Sequence, residues 1–283
     1  MLNPERARRA APRITRLPPS LRQEYQEFIL QRLEEYKNTI AREELLEIGD
    51  EAVRELELSG EGQYLLTEVL LLEHVDRIIA RRLRLPSFRR WSQKHRALRL
   101  AQREPTHWGL STEHILVRTV PRLAADDLAV IIGAGALAAA LFVAAHDHEV
   151  FLVDQDLGAI EGVESRAVSE QLGGRFQALV IQLGGWFPDL LPGLVVLDPV
   201  AMADLGAAER HAFLADLQAR TRAGGFHVVL PVESRQGVIP LAPEALQAEY
   251  GAWQVERRRR GARAGFVATK PPRQGDTPAN VSD

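Results

Sequence analysis

The chain is expected to fold as α/β, a doubly wound, mostly parallel sheet with a C-terminal antiparallel hairpin, preceded by an all-helical N-terminal domain. Three observations predict this. Strand-like and helix-like segments alternate from residue 128 to residue 231, which specifies a parallel sheet covered by helices on both faces. Two β-like segments, 253–257 and 265–269, then follow across a link, 258–264, short enough for a hairpin. Before all of this, residues 20–103 show only helical periodicity.

In order, residues 1–18 read as a flexible lead-in ended by Pro18-Pro19, and Ser20 is placed to cap a helix. Tyr25, Phe28, Ile29, Leu33 and Tyr36 share one face of that helix. A second helix covers 41–56 with Leu45, Ile48, Ala52 and Val53 inward, and Ser59-Gly60-Glu61-Gly62 is a turn. An apolar helix over 67–85 stops before Pro86, and another spans 88–103. Residues 111–123 read as a helix entering the first strand, 128–132. Further strands are expected at 150–153, 176–183, 194–197 and 226–231, with helices at 158–172, 207–220 and 243–250. The domains are therefore 19–104, helical, and 105–271, α/β, with a disordered tail over 272–283.

Composition removes whole classes of chemistry. With no cysteine there is no disulfide, thiolate metal site or cysteine nucleophile. No apolar run reaches the roughly 20 residues of a membrane span, and the basic N-terminus lacks the apolar core of a secretory signal. A cytoplasmic protein without a membrane partner is the expectation. His74 and Asp76 lack a third converging ligand, so no metal is expected there.

Charge is segregated although the net value is only −3. Ten lysines and arginines and no acid lie between Arg77 and Arg103, with Phe88 and Trp91 interleaved. Two readings stay open. One is a nucleic-acid surface with an aromatic for stacking. The other is an internal match between these cations and the glutamate-rich helices before them.

The chemistry concentrates at residues 128–154. An apolar run ends at Gly133 and Gly135, an alanine-rich helix follows, and a second apolar run stops at Asp154. This is the pattern of a nucleotide-binding βαβ unit. Glycine lets the backbone turn tightly and approach a ligand, the helix start offers unpaired N–H groups, and an acid about 20 residues on can accept from ribose hydroxyls. Asp154, Gln182 and Asp198 all fall at carboxyl ends of strands, where such sheets bind ligands. His107 and Trp108 precede the unit, placed either to fold over a ligand or to seal a domain seam.

Taken together, IIGAGALA, VDQD, LVVLDPVAMADL, RAGGFHVVLPVE and GFVATKP, with the closing hairpin, resemble the class I S-adenosylmethionine-dependent methyltransferases over about residues 111–271. The resemblance implies S-adenosylmethionine as cofactor and methyl transfer to an acceptor, with a small molecule the first choice. It implies cofactor contacts at Gly133, Ala134, Gly135, Asp154, Gln155 and Gln182. Asp198 is the polar group nearest the acceptor and His107 the second. The chain departs from the family at Ile131, where an acid is usual two residues before the first glycine, at Leu137 in the glycine loop, and at Gln182, often an acid. Asp198-Pro199-Val200-Ala201 stands where amino-group methyltransferases carry Asn-Pro-Pro-aromatic. GAGALA also satisfies the G-x-G-x-x-A of NAD binders. An interaction scaffold of methyltransferase fold and an NAD-dependent oxidoreductase therefore remain as alternatives.

Overall fold

The computed structural model describes residues 20–58, 68–231, 243–257 and 265–272. The expected lead-in, the Ser59–Gly62 turn, the hairpin link and the tail beyond Pro272 lie outside the described residues. The chain divides into two compact units, one ending at Leu98 and the other starting at Arg99.

The first unit is helical. Helix α1 (Leu21–Thr39) begins at Ser20, whose hydroxyl accepts from the Gln23 amide while the Gln23 side chain accepts from Ser20 N–H. Helices α2 (Arg42–Leu58), α3 (Glu68–Arg82) and α4 (Phe88–Arg103) follow. Leu33, Ile48, Ala52, Val75, Ile78 and Ile79 form one apolar cluster, so the helical spacing in the sequence becomes the packed seam. The acidic and basic helices do pair, through Arg81–Glu55 and Arg82–Glu51, each at 2.6 Å. Trp91 is buried, its ring stacked on His95 at 4.4 Å, and His95 Nε2 lies 2.8 Å from Glu24.

The second unit starts at Arg99, six residues before the boundary read at residue 105, and so takes in the last turn of α4. Gln102 donates to the Glu170 carbonyl at 2.8 Å, Trp108 Nε1 donates to the Gln102 carbonyl at 2.6 Å, and Arg103 pairs with Asp147 at 2.6 Å. The rest alternates as expected: α5 (Ile115–Thr119), β1 (Leu128–Ile132), α6 (Leu137–Ala145), β2 (Glu149–Asp154), α7 (Leu157–Ser169), β3 (Phe176–Val180), β4 (Pro192–Leu197), α8 (Ala207–Arg220), β5 (Phe226–Val229), α9 (Pro243–Gln247), β6 (Gln254–Arg257) and β7 (Phe266–Thr269). The sheet order is β3-β2-β1-β4-β5-β7-β6. The first five strands are parallel, and β7 runs antiparallel to both β5 and β6.

Alternate residues of the central strands fill two cores. Ala129, Ile131, Leu152, Val196 and Val228 pack with α6 and α7, whereas Val130, Ile132, Val153, Val195 and Leu197 pack with Phe213, Leu214 and Leu217 of α8. Burial on both faces is why these strands read as unbroken apolar runs. Several boundaries move, three of them for plain local reasons. Residues 111–123 form only a short α5 and a 3-10 turn over Val120–Arg122, because Pro121 has no N–H to continue the ladder. Strand β3 ends at Val180 because its partner ends opposite, at Asp154. Strand β4 begins two residues early, with Pro192 in the first position, where a missing donor is tolerated.

The amino end of the sheet is locked by charge. Asp127 is buried and takes both Nε and Nη2 of Arg222 at 2.5 Å, besides the Ala124 amide at 2.7 Å. A Cβ on Gly193 would lie 2.3 Å from the Asp127 carboxyl carbon, so glycine is needed for that fit. Removing one partner of such a pair leaves the other uncompensated. Asp127→Ala should cost about 3 kcal/mol of unfolding free energy in urea titration. A loss under about 1 kcal/mol would mean the pair is only a surface contact.

Candidate functional site

The site is assembled where β1, β2 and β4 end. Strand β1 runs out at Ile132, and Gly133 turns the chain with φ at +98°, donating to the Val153 carbonyl at 2.8 Å. The next amide, Ala134 N–H, donates to Asp154 Oδ2 at 2.6 Å, and Asp156 N–H donates to Oδ1 at 2.9 Å. Asp154 thus clasps the glycine turn from the end of β2, while Asp156 caps α7 by accepting from Gly158 N–H at 2.8 Å. Each Asp154 oxygen still has a lone pair beyond its amide, so hydroxyl groups can add to the carboxylate without breaking the clasp.

Strand β4 delivers Asp198 to the same place. Its N–H donates to the Ile132 carbonyl, and its Oδ1 accepts from Val200 N–H, both at 2.9 Å. A Cβ on Gly133 would fall 2.7 Å from Ala201 Cβ and 2.9 Å from Asp198 Cβ. Gly133 is therefore required by the packing of two turns against each other as well as by its backbone angle.

Beside these turns opens a cleft of about 260 Å3, lined among others by Trp108, His114, Gly135, Ala136, Asp198 and Leu230. Its titratable side chains are Asp198, buried, and His114, half-buried. His114 is the residue that sequence reasoning passed over. Its Nδ1 accepts from Leu116 N–H at 3.3 Å and so caps α5, which assigns the proton of a neutral ring to Nε2. Read as part of a helix over 111–123, His114 gave no local signal of either its cap position or its place in a cleft.

The other candidates separate. His107 does not line the cleft; its Nε2 lies 3.7 Å from Glu170 Oε2 at the end of α7. Trp108 next to it does line the cleft. Gln155 and Gln182 are exposed beyond the ends of β2 and β3, and the Ile181 amide between them donates to the Asp154 carbonyl at 2.8 Å. Ile131, at the position of the family's acid, is wholly buried in the core against α6. Among the described residues no three histidines or carboxylates come together as a metal-binding group, and no helix is long and apolar enough to cross a membrane.

No family model and no curated protein matches the chain. Solved structures do resemble it. The N-methyltransferase NodS from Bradyrhizobium japonicum is 15% identical, over 55% of this chain and 92% of that one, with a TM-score of 0.44. TehB from Haemophilus influenzae is 15% identical, over 58% of this chain and 65% of that one, with a TM-score of 0.46. An O-methyltransferase family protein from Burkholderia thailandensis is 14% identical, over 56% of each chain, with a TM-score of 0.42. At identities of 14% to 15% nothing about substrate or chemistry passes from those proteins to this one. The chain itself shows an α/β fold with a seven-stranded, mostly parallel sheet in which β7 is reversed between β5 and β6.

Proposed function

We propose that this chain is an S-adenosylmethionine-dependent methyltransferase acting on a small acceptor. The observation that carries the reading is the cleft beside the glycine turn, bounded by Gly135 and Asp198 at the carboxyl ends of β1 and β4. The residues present fit the cofactor in two respects. Gly135 and Ala136 put little side chain between the start of α6 and the cleft, and Asp154 keeps acceptor capacity for ribose hydroxyls. Gln155 and Gln182, exposed beyond the ends of β2 and β3, would face the adenine.

When bound, the sulfonium would supply the methyl group. The protein's part is to hold an acceptor atom in line, about 3 Å from that group, and to keep water away. Asp198, fixed through the amides of Val200 and its own backbone, is suited to accept a hydrogen bond from a protic acceptor. His114, which caps α5 through Nδ1, is the other titratable side chain on the cleft wall. His107 is left to the Glu170 contact, where it would position Trp108.

Calorimetric titration with S-adenosylhomocysteine tests this reading. Wild type should bind, and Asp154→Asn, which keeps one acceptor for the turn, should bind about 10- to 100-fold more weakly through loss of a charged hydrogen bond. The buried Ile131 supports the alternative of a scaffold that holds no cofactor, and silence with both S-adenosylhomocysteine and NADH would establish it. Saturable binding of NADH alone would make the protein an oxidoreductase.

A further inference from the structure

We infer that the exposed face of α4 is a docking surface for the phosphodiester backbone of a nucleic acid. Of the ten cations between Arg77 and Arg103, five are engaged inside their own unit. Arg81 and Arg82 pair with Glu55 and Glu51, Arg77 lies 3.3 Å from His74 Nε2, Arg99 donates to the Gln171 carbonyl, and Arg103 pairs with Asp147. Arg89, Arg90, Lys94 and Arg96 are all exposed, and among the described residues none has an ion-pair partner.

Helix geometry gathers these four. At 100° per residue they occupy an arc of about 160°, and over seven residues they span about 10 Å of axis, a length that carries about six phosphates counted over both strands of a duplex. The opposite arc holds Trp91 and His95, both buried. No acid occurs on α4, and the nearest acid of α1 in contact with it, Glu24, is taken by His95. Among the described residues the four cations thus have no ion-pair partner, in a chain whose net charge is −3.

The same geometry selects the kind of partner. Trp91 is stacked inside the unit, and Phe88, though partly exposed, packs on Tyr25 and Trp91 with Arg22 over its ring, so the four cations, which read phosphates, dominate this face. Binding should accordingly be insensitive to sequence. An anionic bilayer is disfavoured because membrane-surface helices insert a continuous apolar face, whereas Trp91 in the middle of α4 is buried and only Phe88 and Leu100, towards its two ends, are exposed.

The test is fluorescence polarisation of the full chain with a labelled 20-mer DNA duplex and a single-stranded 20-mer RNA, titrated in rising KCl. No methyl donor is needed, so the result stands apart from the cofactor reading. Wild-type affinity for the duplex should fall with log–log slope of about −3.6 for four phosphate contacts. Arg90→Gln/Lys94→Gln should halve that slope. Replacing all four by glutamine should flatten it and weaken low-salt binding at least about 100-fold, with unchanged circular dichroism. Arg81→Gln/Arg82→Gln, which removes paired cations, should stay within about 2-fold of wild type. Wild type that ignores both nucleic acids, glutamine variants that bind like wild type, or binding seen only with phosphatidylserine vesicles would each overturn the inference.

Discussion

Gly133→Ala is expected to destabilise the protein by about 4 kcal/mol and to close or distort the cleft. Two independent penalties add. The backbone angle of +98° is one that a side chain with Cβ rarely adopts, which costs about 1–3 kcal/mol. The new methyl would also lie 2.7 Å from Ala201 Cβ and 2.9 Å from Asp198 Cβ, and neither is the free end of a flexible chain. Overpacking of that kind costs a further 1–3 kcal/mol or so. Because the clash falls on Asp198, the variant should lose ligand binding even where it still folds. Gly162→Ala on α7 is the control: a Cβ there meets nothing within 4 Å, and alanine should leave stability equal or raise it. Urea unfolding of the two variants decides the matter. If Gly133→Ala loses less than about 1 kcal/mol, the packing of the two turns is looser than the distances imply.

The second large effect is a loss of stability in acid traceable to one histidine. His227 in β5 is wholly buried, and its polar atoms are all engaged. The Thr221 hydroxyl donates to the Leu217 carbonyl at 2.7 Å, so it must accept from His227 Nε2–H, also at 2.7 Å. His227 Nδ1 is then the acceptor for Tyr250 O–H at 2.8 Å. Burial, reinforced by the charge of Lys270, pushes the imidazole down from 6.5 to about 3. Burial likewise pushes the Tyr250 phenol far up, which keeps it a donor.

An unfolded chain therefore binds a proton between pH 6.5 and about 3 that the folded chain refuses. Stability from this group is full above 6.5 and drains away as pH falls across that window. By about pH 4.5 the loss from His227 alone approaches 2.7 kcal/mol as an upper figure. His227→Gln should be less stable at neutral pH, since Thr221 and Tyr250 lose partners, but it should lack this share of the acid slope. Urea midpoints of both proteins at about pH 7.5 and about pH 4.5 measure it. Equal slopes would show that His227 is protonated in the folded state.

Strand positions, helix faces and the glycine turn were legible because each depends on local periodicity or on a backbone angle that one residue type supplies. The apolar runs at 128–132 and 150–153, the acid closing the second, and helices α4 and α8 were read within a residue or so for that reason. The acidic and basic helices could be seen to complement each other. Which arginines would be used up was not visible, since pairing Arg81 with Glu55 requires two helices to be packed. Trp91 had the spacing of an interleaved aromatic, yet its side of α4 is the side that Tyr25 and His95 cover.

At the cleft the difference is sharper. His107 and His114 lie seven residues apart in one connecting stretch, and composition treats them alike. A turn after Pro105 and a cap on α5 send the first toward Glu170 and the second into the cleft wall. The sequence by itself determined the class of fold, its strand directions and the acid that meets the glycine turn, because those follow from patterns a few residues long. Only the tertiary structure decided which polar groups face one another, because that depends on the relative rotation of elements distant in the chain, which no local pattern records.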